Sequence, residues 1–168
     1  YSVNLGARSL RLKRTHSVGL VIPNISTPFF AEIAATIENS LWGKGYQTLL
    51  CISERDIERE LLQCANLVGR QVDGILLAYN SEKSRVFSFA DSSKLPVVFV
   101  DRPVPGKPSV STDHRLGGIL MARHLAELGH RKIGILCGEG EIRNVQERVS
   151  GFIDELKDWR IEVRDDMI

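Results

Sequence analysis

The sequence predicts an α/β fold, a doubly wound parallel sheet with helices on both faces. Short apolar runs alternate along the chain with segments whose apolar residues recur at helical spacing. The apolar runs are continuous and do not alternate with polar residues, which is typical of parallel strands buried on both sides. Strands and helices that alternate in this way through short connections indicate a doubly wound sheet.

The first two strand–helix pairs are predicted between residues 18 and 69. Strands cover residues 18–22 and 47–52. A helix begins after the first strand, because Thr27 can accept hydrogen bonds from free amides and Pro28 suits the first helical turn. Apolar residues at helical spacing define both helices, and glycines end them; the residues are Ile33, Ile37 and Leu41 before Gly43 and Gly45, then Ile57, Leu61, Ala65 and Val68 before Gly69.

The alternation continues through the rest of the chain. Strands are predicted over residues 74–78, 96–100, 109–112 and 132–137, and a helix over residues 82–91. Asp113 is expected to cap a helix that ends at Gly129. The last two helices are predicted from apolar residues at helical spacing: Met121, Leu125 and Leu128 in one, and Val149, Phe152, Ile153 and Leu156 in the other.

Composition is that of an ordinary globular protein, with 43% hydrophobic and 26% charged residues. The longest apolar runs fall far short of a membrane span, and the polar, basic start shows no secretory signal. Three cysteines, Cys51, Cys64 and Cys137, form neither a CxxC motif nor a cluster with histidine. We therefore expect reduced thiols in a cytoplasmic protein.

Positive charge is concentrated at the start of the chain. Arg8, Arg11, Lys13 and Arg14 precede the first acidic residue, Glu32, although the formal net charge is only +1. A basic arm on a near-neutral body is typical of a local phosphate contact. A solvated basic terminus explains the same pattern, and the charges alone do not decide between the two interpretations.

Motifs that carry enzymatic chemistry are missing from the sequence. The segment Gly138-Glu-Gly140 follows a predicted strand but lacks the third glycine of a dinucleotide-binding loop, and no phosphate loop with a lysine occurs. Nucleophile-elbow and zinc-protease motifs are absent as well. Histidines at 16, 114, 124 and 130 are scattered and are expected to be structural or exposed. We expect a protein that is not an enzyme and that carries no cofactor or metal.

Ligands of a doubly wound sheet bind beyond the carboxyl ends of its strands. Asp101 follows the strand predicted at 96–100, where its carboxylate can accept hydrogen bonds from the hydroxyls of a polyol. Pairing with Arg102 would explain the same aspartate. Phe29 and Phe30 lie in the first turn of a predicted helix at that end. One ring can face a ligand while the other packs into the core, or both can pack into the core.

Two polar residues of the last predicted helix are further candidates. The planar fork of Arg148 suits vicinal hydroxyls or a carboxylate, although an exposed arginine without a ligand is the simpler interpretation. Asn144 lies one turn earlier on the same side and serves equally well as a helix cap.

Four stretches together resemble the lactose repressor/galactose repressor family of bacterial transcriptional regulators. The order and spacing of these stretches match the family along nearly the whole chain. The four stretches are residues 1–10, residues 18–30, residues 98–102 with Asp113, and residues 128–133 with residues 148–152.

The resemblance implies a fold like that of periplasmic sugar-binding proteins, with two α/β lobes. Residues 1–16 correspond to the hinge behind a helix-turn-helix head, residues 17–129 to the amino-terminal lobe, and residues 130–168 to the start of the carboxyl-terminal lobe. The head is expected before Tyr1, and the rest of the second lobe is expected after Ile168.

The resemblance also implies a repressor that binds operator DNA as a homodimer and responds to a small effector, which we expect to be a sugar. Hinge residues Ala7, Arg8, Leu10 and Arg11 match positions that contact DNA, with Leu10 as an apolar wedge in the minor groove. Effector-lining positions of the family match Phe29, Phe30, Asp101, Asn144 and Arg148.

Two alternatives from other functional classes remain open. A periplasmic-type sugar-binding protein would carry a signal peptide and no basic hinge. A nucleotide-binding α/β enzyme would carry a glycine-rich phosphate loop.

Overall fold

The computed structural model describes residues 14–138 and 142–163, and these contain a five-stranded sheet of order β2-β1-β3-β4-β5. Every neighbouring pair of strands is parallel, which confirms the predicted parallel sheet. Leu20 in the middle of β1 is in register with Leu50 of β2 and Leu76 of β3. The strands are β1 Ser17–Ile22, β2 Gln47–Ile52, β3 Gly74–Leu77, β4 Val97–Val100 and β5 Ser109–Val110.

Five helices are seen in the described ranges, and all were predicted. Asp113 caps the fourth helix as expected, since its carboxylate accepts a hydrogen bond from Leu116 N at 2.8 Å. The third helix is shorter than predicted and begins only at Val86. The helices are α1 Pro28–Trp42, α2 Ile57–Gly69, α3 Val86–Ser92, α4 His114–Glu127 and α5 Arg143–Asp158.

Helices cover both faces of the sheet, because successive residues of each strand point to opposite sides. On one face, buried strand residues pack against α2 and α3; the cluster includes Val21, Ile75, Leu77, Phe99, Cys64, Leu67 and Val86. On the other face, buried residues pack against α1; these are Leu20, Ile22, Ala78 and Ala34, with Phe30 and Ile37 partly buried beside them. This layered arrangement is the predicted α/β architecture.

The chain divides into two compact units, one ending at Val110 and the other beginning at Ser111. The second unit is a pair of helices, α4 and α5, around a small core of Ala122, Ala126, Phe152, Leu156 and Ile161. This division describes how the chain packs. The predicted lobe boundary at Gly129 stays a prediction.

The predicted strand at 132–137 is wrong. These residues form no ladder, although Ile133 and Ile135 pack against the core of the second unit. A strand exists only where a neighbouring strand pairs with its backbone groups, and the described residues supply none. Leu136, which the pattern placed in a buried strand, is fully exposed.

Two helices bury faces other than their most apolar ones. In α2 the buried residues are Glu60, Cys64 and Leu67, whereas Ile57 and Val68 are exposed. In α4 the buried residues are His114, Gly118, Ala122 and Ala126, whereas Met121 and the C-cap residue Leu128 are exposed. Helical spacing predicts that a helix forms, but which face is buried depends on the surface that it meets.

Candidate functional site

The first unit brings three chain segments to the carboxyl end of its sheet. The loops after β1, β3 and β4 leave neighbouring strands there, since β3 lies between β1 and β4. With strands about 4.8 Å apart, β1 and β4 are separated by about 10 Å. Such a crevice is where open α/β sheets bind ligands. It carries Phe29 and Phe30 after β1, Asn80 after β3 and Asp101 after β4.

The start of α1 is organised by Asn24. Its Oδ1 accepts hydrogen bonds from Thr27 N at 2.9 Å and from Thr27 Oγ1 at 2.7 Å. Thr27 is the N-cap residue, but its hydroxyl donates to Asn24 and accepts no helix amide, so the predicted capping role is wrong. Pro28 does occupy the first helical turn. The side chain that stabilises the loop between β1 and α1 is thus that of Asn24, which precedes the N-cap residue.

The two phenylalanines have different surroundings. Phe30 is partly buried against the α1 face of the sheet, whereas Phe29 is 45% exposed. Their ring centroids are 5.1 Å apart in an edge-to-face arrangement, a favourable geometry for aromatic pairs. Phe30 therefore packs against the sheet and supports Phe29. This arrangement matches the expected alternative in which one of the two rings packs into the core and the other can face a ligand.

Asp101 is a buried carboxylate on a strained backbone. It is 8% exposed, and its φ of 76° lies in the left-handed region that few residues other than glycine adopt. Its amide nitrogen donates to Val110 O at 3.0 Å, which holds it beside β5. Arg102 Nε lies 3.7 Å from Asp101 Oδ2, an ion pair too long for a hydrogen bond. Strained polar residues of this kind concentrate at ligand sites.

A buried polar network fixes the loop after β3. Glu60 of α2 is fully buried, and its carboxylate accepts hydrogen bonds from Asn80 N at 2.6 Å and from Ser84 Oγ at 2.8 Å. Asn80 Nδ2 donates to Ser53 Oγ at 2.9 Å. Arg102 Nη1 donates to Asn80 O at 3.4 Å, and its guanidinium lies 5.1 Å from the centre of the Tyr79 ring.

This network leaves two buried polar atoms without a hydrogen-bond partner among the described residues. They are Asn80 Oδ1, an acceptor, and Arg102 Nε, a donor that lies 3.7 Å from Asp101 Oδ2. Burial raises the pKa of Glu60, while the hydrogen bonds from Ser84 and Asn80 and the charge of Arg102 oppose that rise. Glu60 was missed at the sequence level because a glutamate on a helix ordinarily faces solvent.

In the second unit, the residues predicted to bind an effector lie on α5. Asn144 is buried in the first turn; it is not the helix cap, since the N-cap is Ile142. Arg148 follows one turn later and is partly exposed. Its Nη1 lies 2.9 Å from Nδ1 of His114, a buried residue that we expected to be only structural or exposed.

The effector-binding roles of Phe29, Phe30, Asp101, Asn144 and Arg148 stay predictions. The hinge residues predicted to contact DNA, namely Ala7, Arg8, Leu10 and Arg11, lie outside the described residues. Where the structure describes the chain, no group of histidine, cysteine and carboxylate side chains could hold a metal ion. In the same ranges, no helix is long and apolar enough to cross a membrane.

Comparison with known protein families gives one match that covers nearly the whole chain. Residues 15–168 match the family described as periplasmic binding proteins and sugar binding domain of LacI family. Among curated proteins, the HTH-type transcriptional repressor PurR of Haemophilus influenzae (strain PittEE) is 32% identical over 165 residues. That alignment covers 97% of this chain but 49% of PurR, so the chain spans about half the length of the relative.

Solved structures show the same likeness. A putative ribose operon repressor from Burkholderia thailandensis has a TM-score of 0.84 and 30% identity, covering 92% of this chain and 60% of that one. A periplasmic binding protein/LacI transcriptional regulator from Alkaliphilus metalliredigens QYMF, complexed with D-xylulofuranose, has a TM-score of 0.79 and 30% identity, covering 88% of this chain and 54% of that one. Both agree with the periplasmic-binding-protein-like fold expected from the sequence.

Proposed function

We propose that this chain, which belongs to the LacI family, is the effector-binding part of a regulator that represses transcription by binding operator DNA. The match of residues 15–168 to the sugar-binding domain of that family carries the proposal. The chain contributes binding and no catalysis, since its curated relatives are named as transcriptional regulators. A regulator of this kind acts where the chromosome is, in the cytoplasm.

The effector that we propose is a small sugar or related polyol. The buried carboxylate of Asp101 can accept from two adjacent hydroxyls, and the exposed ring of Phe29 offers an apolar face to a sugar ring. Phe30 supports that ring. The family resemblance adds Asn144 and Arg148 as candidates, an amide and a guanidinium that suits vicinal hydroxyls. The D-xylulofuranose complex of a solved relative is consistent with this ligand class.

Calorimetry on the full-length protein tests the effector site. A panel of pentoses, hexoses, disaccharides, sugar phosphates and nucleobases identifies the ligand. Asp101→Ala should then abolish binding, whereas the exposed Asp91, in the same unit, serves as the matched control and Asp91→Ala should bind normally. Unchanged affinity in Asp101→Ala would remove Asp101 from the site, and preference for a nucleobase would exclude the sugar assignment.

Operator binding distinguishes a repressor from a sugar-transport protein of the same fold. We propose that Arg8 and Arg11 approach phosphates while Leu10 wedges a base step, so Leu10→Ala should weaken operator binding in a gel-shift or fluorescence assay. Effector and operator binding should be coupled by about 1–3 kcal/mol. A full-length protein that binds a sugar but no DNA fragment of its own promoter would favour the transport class.

Assembly as a homodimer is part of the proposal, because two-fold symmetry matches a palindromic operator. The α1 side of the first unit exposes apolar residues that a partner would cover, namely Ile25, Leu50 and Trp42 at 46%, 41% and 68% exposure. Light scattering on the full-length protein should give twice the monomer mass. A monomer at micromolar concentration would contradict the dimer.

A further inference from the structure

Arg148 is held by an imidazole from another helix. Its Nη1 lies 2.9 Å from Nδ1 of His114, the first residue of α4, which is 7% exposed. A guanidinium carries only hydrogen-bond donors, so Nδ1 must be the acceptor. The neutral ring therefore carries its proton on Nε2. Thr112 Oγ1, 3.4 Å from Nδ1, is a hydroxyl that can turn its own proton toward the same nitrogen.

The helix crossing that allows this contact depends on two glycines. A Cβ atom added to Gly118 of α4 would lie 2.0 Å from the carbonyl oxygen of Arg148, and one added to Gly151 of α5 would lie 2.3 Å from that of Arg115. The two backbones therefore touch directly at the crossing. As a result, the backbone of Arg148 is fixed against α4. The contact with His114 is made by the side chain of Arg148 alone.

We propose that His114 is a positioning residue for Arg148, which fixes the guanidinium before any effector arrives. This inference rests on the proposed function, in which Arg148 contacts the effector. Within the described ranges, His114 is the one hydrogen-bond partner of that guanidinium. An arginine fixed in advance loses less rotamer freedom on binding, and its remaining donors face the ligand in one orientation. The imidazole thereby determines how the arginine is presented, without itself touching the ligand.

Nuclear magnetic resonance on the full-length, ligand-free protein tests this role. Labelling histidine with ¹⁵N shows which ring nitrogen of residue 114 carries the proton, and labelling arginine shows the order of the Nε–H group of residue 148. His114→Leu removes the acceptor. His114→Asn restores one, since the amide oxygen and Nδ1 are both bonded to Cγ. His124→Leu is the matched control, because His124 is exposed in the last turn of α4.

The expected result has three parts. Nδ1 is unprotonated in the wild type; Arg148 becomes mobile in His114→Leu; and it stays ordered in His114→Asn and in His124→Leu. A protonated Nδ1 with a free Nε2 would overturn the proposal, as would an Arg148 signal that stays ordered in a folded His114→Leu variant. If His114→Leu does not fold, the tautomer and the His114→Asn spectrum decide.

Failure of this inference is distinguishable from failure of the proposed function. The spectra need no effector, so they report on the His114–Arg148 contact whatever the ligand is. Calorimetry of Arg148→Leu against the ligand panel reports on the function instead. Ordered Arg148 with unaltered ligand binding in Arg148→Leu would refute the effector role and leave the positioning role intact.

Discussion

The two adjacent glycines of α4 allow a sharp test of the helix crossing. Gly117 has open space around the position of its missing Cβ, whereas the Cβ of an alanine at 118 would lie 2.0 Å from Arg148 O and 2.9 Å from Phe152 N. An ordinary contact of this kind is at least 3.4 Å, so the helices must separate by roughly 1.4 Å at this point. Both clashing atoms are backbone and cannot turn away.

The opposing contributions are of known size. Replacing a helical glycine by alanine favours folding by about 1 kcal/mol, and this gain applies at both positions. Overpacking a close interface costs about 1–3 kcal/mol or more. Gly117→Ala should therefore stabilise the protein by up to about 1 kcal/mol. Because the same helix gain applies to both variants, Gly118→Ala should lie below Gly117→Ala by the overpacking cost alone, about 1–3 kcal/mol or more in free energy of unfolding.

Urea denaturation of the full-length protein, followed by circular dichroism, gives both values as shifts of the unfolding midpoint. Gly118→Ala should also weaken effector binding, because the clash displaces the backbone of Arg148 from α4. Equal stability of the Gly117→Ala and Gly118→Ala proteins would refute the backbone contact. The position of Arg148 on α5 would then need another explanation.

Further predictions follow from three buried or capping residues, Glu60, Asp56 and Cys64. Glu60→Ala should lower the free energy of unfolding by about 2–4 kcal/mol by leaving the Asn80 amide unpaired, whereas Glu60→Gln keeps an acceptor and should cost far less in the same urea assay. Because burial raises the pKa of Glu60 in the folded protein, the ionised group opposes folding at higher pH. Wild type should therefore gain stability relative to Glu60→Gln as the pH falls toward the ordinary glutamate value of about 4.3. Asp56 caps α2, and the amides of residues 59 and 58 lower its pKa. Asp56→Ala should therefore lower the thermal midpoint of unfolding at neutral pH. The difference in midpoint between wild type and variant should vanish as the pH falls through that lowered pKa. Burial raises the pKa of Cys64 to about 12. Iodoacetamide should therefore label the exposed Cys137 in the folded protein and Cys64 only after unfolding, as detected by mass spectrometry. Rapid labelling of Cys64 in the folded protein would contradict its burial.

Local patterns in the sequence located most of the elements and their order. Apolar runs located β1 to β4, and the alternation of strands and helices located the short β5 and the five helices, although the apolar run at 132–137 wrongly predicted a further strand. Asp113 caps α4 as predicted, because a cap depends on residues within one turn of each other. The family likeness was visible in the same way, as motifs in fixed order.

The candidate site was only partly visible in the sequence. The rule that ligands bind beyond the carboxyl ends of strands led to Asp101 and to the Phe29–Phe30 pair. The structure places these residues after the carboxyl ends of β4 and β1 of the same sheet. Glu60 and His114 were missed as contributors, because each acts on a residue 20 or more positions away: Asn80 and Arg148. No spacing rule connects such residues.

The sequence by itself determined which segments can form strands and helices, because strand and helix periodicity and most caps are set by neighbours along the chain. The tertiary structure decided which face of α2 and α4 is buried, that residues 132–137 form no strand, and that His114 meets Arg148. These outcomes depend on which surfaces come together. A glutamate can be buried where other residues donate hydrogen bonds to its oxygens, and an apolar run becomes a strand only beside another strand.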